Sequence, residues 1–502
     1  MKRMIIMLIS LLTLQHLSAQ KITYAIPEKG DSKNIEFEIL GKVDDNILIY
    51  KKANHQSLIS VYDASMNLIS KEFLNAIPES ASTIGFIKVK TGFLIVYQYE
   101  SNHIVYCEAL HVSLSGTTGN LPNRLDSTEI GFFADDKIYA VAYSEDKSKL
   151  LIYKRLVKNK ELSLTAKLFN NQLIVIDSIH KFFSYNTYKD FLSDVYIDND
   201  GNMLFAKETK NRFADNYHSL EIFMHKKNSD SLFRIPVPLD NKYIDHVLIK
   251  VDNLNKNYLI NSYYHEDNKN SLDGLFTMIF SANKLDIPKI AFNTFSESFL
   301  NSIKNTQIDN YSIDKLIPKN ILLKKNGSFV LIAENAYSES QNTNNQWNMN
   351  PNMGFSLSNN NYYNNSPYNY SYGGYDNYNQ YRTTRYSNND ILLVSIDSSL
   401  HLQWNNVITK KQSEVDDDTY LSFSTLNSGS ELFFLYIANQ NNKNIISNQS
   451  LMPTGDIKRY PAIKNTEEAY YFMPKLAKQI GNYQTIIPFL YQNQIGFAKI
   501  EF

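Results

Sequence analysis

The sequence predicts an all-β protein built from one repeated four-stranded unit, and three observations carry that expectation. A short alternating apolar segment, a turn rich in Asp, Asn and Gly, and a second apolar run recur along the chain. Aromatic residues reach 13%, with 35 Tyr and 28 Phe, while charged residues stop at 20%, a mixture suited to pleated, half-buried strands. The turns recur every 45 to 55 residues or so in the regular stretches, the period of β-propeller blades, which are small twisted sheets that bury both faces by stacking on neighbours. At 502 residues and 43% hydrophobic content the chain is too long for one ordinary core and too apolar for disorder.

The elements follow in order. Lys2 and Arg3 precede an apolar run from Met4 to Leu14 that closes on Ser18, Ala19 and Gln20, the pattern of a secretory signal peptide over 1–19, well short of the ~20 apolar residues of a membrane span. The mature chain is therefore expected to be exported to the periplasm, cell surface or medium, without stable membrane insertion. Cys107 stands far from the leader, so it is no lipid attachment site, and a single cysteine forbids an internal disulfide. Its strand-like setting predicts an inert buried thiol.

Eight copies of the hairpin lie at 42–50, 88–96, 133–141, 196–205, 250–260, 323–331, 425–434 and 478–487. Gly and Asn at their turns supply the positive φ that tight hairpins need. A second hairpin follows in two units, where Val61–Leu68 aligns with Ser395–Leu402, and Asp63 and Asp397 are placed to bond the turn backbone. The steps between turn centres are about 46, 45, 64, 54, 72, 102 and 53, the largest holding an insert of about 49 residues. The last unit is one strand short, and Lys21–Ile26, stopping at Pro27, can complete it. The expectation is a single propeller over 20–502 of eight four-stranded blades, closed by the N- and C-terminal strands. Seven blades is the close alternative and two smaller β domains the third.

Through these blade-level patterns the chain resembles secreted bacterial β-propeller repeat proteins over its mature length. It lacks the Asp-box of sialidase-type blades, Trp-Asp dipeptides and a recurring kelch Gly-Gly, and it holds two tryptophans, Trp347 and Trp404. The resemblance implies a fold and brings no catalytic residue with it.

Composition also narrows function. Fifty Lys and Arg against 51 Asp and Glu leave a net charge of -1, which provides no field to gather nucleic acid. Asp198-Asn199-Asp200-Gly201-Asn202 alternates oxygen donors, but Thr209 stands where a calcium loop needs a bidentate Glu, so a hairpin turn is expected. Asp416-Asp417-Asp418 reads as a solvated loop. The ten histidines show no paired metal-ligand spacing, and no metal or other cofactor is expected. Asn427-Ser428-Gly429-Ser430 lacks the glycine of a hydrolase elbow and reads as a turn.

The distinctive segment is 341–389, with sixteen Asn, nine Tyr and three charged residues, Asp376, Arg382 and Arg385. It reads as a disordered loop, or as an adhesive arm in which flat tyrosines and asparagine amides grip a glycan or peptide. It falls between the second and third strands of the sixth blade. Long connectors at 210–218 in the fourth blade, 265–273 in the fifth and 296–314 before the sixth would share its side of the sheets. Candidate binding residues are Arg212, Asp215, Tyr217, His265, Glu266, Trp347, Tyr378, Arg382 and Arg385. The leading expectation is a non-enzymatic scaffold holding an envelope protein or glycan on this long-loop face. The alternative is a carbohydrate-active hydrolase or lyase whose acids, such as Asp215, Glu266 and Asp267, come from scattered loops.

Overall fold

A computed structural model describes residues 20–28, 32, 35–119, 121–131, 137–267, 272–281, 288–304, 316–342, 382–440, 443–463 and 470–502. The strands form eight antiparallel sheets, each with a four-strand path and four of them with one short extra strand off it, and the protein is an eight-bladed β-propeller. The signal-peptide reading falls on residues outside those described.

Two compact units divide the blades. One holds the first, seventh and eighth. In the eighth blade Lys21–Tyr24 pairs antiparallel with Gln494–Glu501, from Lys21 opposite Glu501 to Tyr24 opposite Ala498. The N-terminal strand thus completes the last blade, as its sequence predicts. Ile39, Ile47 and Ile49 of the first blade pack on Ile486, Ile495 and Phe497 of the eighth. The other face of the eighth blade gives Ile487, Phe489 and Ile500 to Leu435 and Ile446 of the seventh.

The second unit holds the second to sixth blades, and its cores show why alternating sequence demands this architecture. In the fourth blade Met203 and Phe205 pack with Leu151 and Tyr153 of the third, whereas Leu204 and Ala206 pack with Tyr258 and Ile260 of the fifth. Successive side chains leave opposite sides of a strand, so one apolar run serves two interfaces. The same rule joins the fifth and sixth blades through Leu259, Leu275, Leu331 and Leu392, with Phe299 and Ile303 added from one helix, Glu297–Lys304.

Turn chemistry follows the side chains read from sequence. Asp63 accepts the N–H groups of Ser65 and Asn67 at 2.8 Å each, and Asp397 accepts those of Ser399 and His401 at 2.8 Å each. Asp198 Oδ1 accepts from Asp200, Gly201 and Asn202, and its Oδ2 from Asn202 and Tyr258, so this carboxylate organises a hairpin.

The third blade corrects the sequence reading. Its leading strand is Tyr139–Tyr143, and the first hairpin turns at residues 145–147 instead of 135–136. Ser144 and Ser148 bond Asp146, and Lys147 takes a φ of 58°, so the turn runs on Ser and Asp without the Gly or Asn that marks the others. Moving the turn makes both flanking steps about 55 residues and removes the apparent irregularity.

Buried charged clusters occur in several blades. In the first, Glu28 Oε1 accepts from Lys51 Nζ at 2.6 Å and Tyr62 Oη at 2.8 Å, and Lys71 meets Oε2. Burial pushes the Glu28 carboxyl up, but Lys51, aided by Lys71 and Tyr62, holds it at about 2, below its ordinary 4.5. A depressed folded-state value means that the contribution is full above the unfolded value and fades as pH falls through the folded one. Unfolding midpoints measured from pH 6 down to about 2 should therefore drop less steeply for Glu28→Gln than for wild type. Parallel curves would show that Glu28 is not held ionised.

Candidate functional site

The long-loop side of the fourth and fifth blades gathers several of the candidate residues. Two turns build its outer part. Between the third and fourth blades, Asn186 Oδ1 accepts the Tyr188 N–H at 3.0 Å, and Asp190 Oδ2 accepts the Asn186 N–H at 2.9 Å. This closed turn lifts Tyr188 into solvent at 67% exposure. Beside it, Lys210 N–H bonds the Lys189 carbonyl at 2.9 Å, and Thr209 Oγ1 donates to Asp190 Oδ1 at 2.7 Å. The loop then turns through an Ala214 N–H bond to the Asn211 carbonyl, leaving Phe213 at 91% exposure. Arg212 spreads its guanidinium over both rings, 4.9 Å from the Tyr188 centroid and 5.3 Å from that of Phe213. Asp215, in the same loop, is exposed.

Beneath lies a buried chain of polar groups. Tyr217, 4% exposed, places its hydroxyl 3.0 Å from His246 Nε2, and His246 Nδ1 lies 2.6 Å from Glu208 Oε2. Glu208 is fully buried, and its other oxygen accepts the Val247 N–H at 2.8 Å. Phe191 covers the imidazole at 4.1 Å between centroids, and Lys210 Nζ stands 5.5 Å from the centre of the Tyr217 ring. These groups meet because the fifth blade's leading strand is broken into Tyr243–Ile244 and Leu248–Asp252. Tyr217 bridges to Ile244 across this corner.

On the fifth blade, buried His265 places Nε2 3.0 Å from Asp245 Oδ1, while exposed Glu266 accepts from Lys242 Nζ at 3.0 Å. Tyr217 and His265 thus meet the same corner through Ile244 and Asp245, while Arg212 and Asp215 stand on the fourth-blade loop and Glu266 on the fifth. Tyr217 and His265 are interior members of that corner, because an aromatic hydroxyl and an imidazole can both fill space and bond a neighbour. Sequence reading missed Tyr188, Phe213, Lys189, Lys210, His246 and Glu208. A phenylalanine inside the polar run 210–218 was the available signal for Phe213; nothing in the sequence paired Glu208 with His246.

The sixth-blade residues stand apart. Phe329–Asn342 pairs with Arg382–Ile396 out to Asn342 opposite Arg382, so 341–342 and 382–389, read as insert, belong to strands. Arg385 is exposed and pairs with Glu339 and Val415. Neighbouring Tyr386 has its hydroxyl pKa raised by burial and by Asp418, Asp416 and Asp417. Trp347 and Tyr378 lie outside the described residues. Cys107 is fully buried, and burial, then Asp126 and Glu108, push its thiol far up, as befits an inert group.

Among the described residues no cluster of three His, Cys, Asp or Glu side chains could hold a metal ion, and no helix is long and apolar enough to cross a membrane. No family model and no curated protein matches the chain. Solved structures do. Prolyl oligopeptidase B from Galerina marginata aligns at 10% identity over 96% of this chain, with a TM-score of 0.41. An ulvan lyase, a polysaccharide lyase, aligns at 9% identity over 95% of each chain with a TM-score of 0.34. The β-propeller domain of the trilobed protease from Pyrococcus furiosus aligns at 8% over 84% of this chain and 93% of its own, with a TM-score of 0.36. The chain spans about half, 55%, of prolyl oligopeptidase B. None of these likenesses assigns an activity, so any reading of the site rests on this chain's own residues.

Proposed function

We propose that the protein is an exported, non-enzymatic binding scaffold that holds an envelope protein or glycan on the long-loop side of its fourth to sixth blades. The observation that carries this reading is the exposed Tyr188–Arg212–Phe213 stack. An exposed aromatic cluster on a fixed surface is a common mark of a binding site, and the turns beneath it are held by side-chain and backbone hydrogen bonds. Functional loops on a rigid sheet scaffold fit the same reading. The signal-like segment 1–19 supports export. A glycan array and a peptide array probed with the chain lacking 1–19 test the proposal. Binding to at least one array feature should be lost in Tyr188→Ser/Phe213→Ser at an unchanged unfolding midpoint; indifference to both substitutions would exclude this surface.

One observation favours the enzymatic alternative, a carbohydrate-active hydrolase or lyase. Tyr217, His246 and Glu208 line up as a phenol, an imidazole and a buried carboxylate, the order in which a proton could be drawn from a phenol. Against it stands the recurrence of buried charged clusters in other blades, including Asp126 with Lys154 and Lys167, which marks such networks as part of the blade's construction.

A further inference from the structure

We infer that the partner held at the fourth blade is an acidic glycan, with a uronate carboxylate received by Arg212 while its sugar rings lie on Tyr188 and Phe213. This rests on the binding-scaffold reading and names its ligand class. The charges at the two turns are unequal. Lys189 and Arg212 are exposed and Lys210 is half-buried; the contacts of Lys210 and Arg212 are with aromatic rings, and none of the three forms an ion pair among the described residues. On the acidic side, Glu208 is buried against His246, and Asp190 is engaged by Thr209, Asn186 and Lys207 at 2.7, 2.9 and 3.2 Å. Asp215 is the single acid of the loop itself. The two turns therefore carry three cations, Lys189, Lys210 and Arg212, against one loop acid, Asp215.

The stack also sets geometry. A guanidinium already held against two aromatic rings, at 4.9 and 5.3 Å from their centroids, loses less side-chain freedom when a planar carboxylate docks on its paired N–H groups. The flat rings beside it suit the C–H faces of a pyranose, whose weakly positive hydrogens meet the negative face of the ring. An acidic peptide fits less well. Extended peptides gain affinity by pairing with a free strand edge, and here Asn186, Lys189, Lys210 and Ala214 already spend their backbone groups on the two turns.

Affinity electrophoresis of the chain lacking 1–19 tests this, with polygalacturonate, neutral dextran, dextran sulfate and polyglutamate as probes in separate gels. Polygalacturonate should retard the protein and the other three should not. Arg212→Ala should weaken that binding about ten- to a hundredfold, and Arg212→Lys should fail to restore it, because an ammonium offers no fork. All the substitutions are on exposed side chains, and an unchanged unfolding midpoint verifies the fold. Polygalacturonate binding indifferent to Arg212→Ala, or no such binding, overturns the inference. Retardation by dextran, dextran sulfate or polyglutamate that Phe213→Ser abolishes also overturns it but leaves the scaffold reading standing. If no probe and no array feature responds to Tyr188 or Phe213, both fall.

Discussion

Replacing Glu334 by Ala is expected to destabilise the sixth blade by about 3 to 5 kcal/mol, the usual result of stranding one partner of a buried ion pair. Glu334 is fully buried, with Lys410 Nζ at 2.7 Å, Lys319 Nζ at 3.3 Å and Asn388 Nδ2 at 2.9 Å. Lys410 is almost as buried and also donates to the Asn388 carbonyl and to Gln412 Oε1 at 2.8 and 2.9 Å. Burial pushes the Lys410 pKa down, and Glu334 opposes that shift. Without the carboxylate, an ammonium would be left in the interior with neutral acceptors. Urea unfolding followed by the fluorescence of Trp404, which lies opposite Ser395 in the same blade, reads the loss. Glu334→Leu/Lys410→Met should recover much of it, since well-packed apolar replacements of buried pairs are often neutral or better. A single variant within about 1 kcal/mol of wild type would mean that water or the nearby Asp390 carboxylate compensates the stranded Lys410 ammonium.

A chain lacking Lys21–Ile26 should lose about 3 to 5 kcal/mol, from several backbone hydrogen bonds, the partial burial of Ile22 and Tyr24 and the burial of Ala25. Ala25 N–H bonds the Phe497 carbonyl at 2.8 Å, and the Tyr24 ring lies 4.9 Å from that of Tyr470 and 5.8 Å from that of Phe489. Removing the strand uncovers the edge of Gln494–Glu501, a template for pairing with another molecule. Both a lower thermal midpoint and concentration-dependent self-association are expected by calorimetry and size-exclusion chromatography. An unchanged midpoint would show that the N-terminal strand is dispensable to the blade.

The architecture was legible because it depends on local signals. Alternation such as Met203-Leu204-Phe205-Ala206 writes two interfaces into one strand, and Asp63 and Asp397 mark equivalent turns by the same side-chain bond. The third blade was misread because Lys147 adopts positive φ where a Gly or Asn was sought, and the Asp135-Asp136 pair nearby offered a more familiar turn. The site was legible in part. Arg212, Asp215 and Glu266 could be found as polar residues in long connectors, yet Glu208 and His246 are 38 positions apart and meet through a break in the fifth blade's leading strand. No periodicity announces such a break. Tyr188 was hidden for a different reason, since an aromatic between strands reads as core until the turn that exposes it is known.

On the scaffold reading, the fourth-blade surface holds its ligand without transforming it. The most direct measurement is mass spectrometry of the array-selected ligand, recovered after prolonged incubation with a saturating amount of the chain lacking 1–19, beside a binding titration of the same sample. The expected result is saturable binding, abolished by Tyr188→Ser/Phe213→Ser, with the ligand's mass unchanged. Shortened or unsaturated products that disappear in His246→Gln would contradict it and assign the Tyr217–His246–Glu208 chain to catalysis.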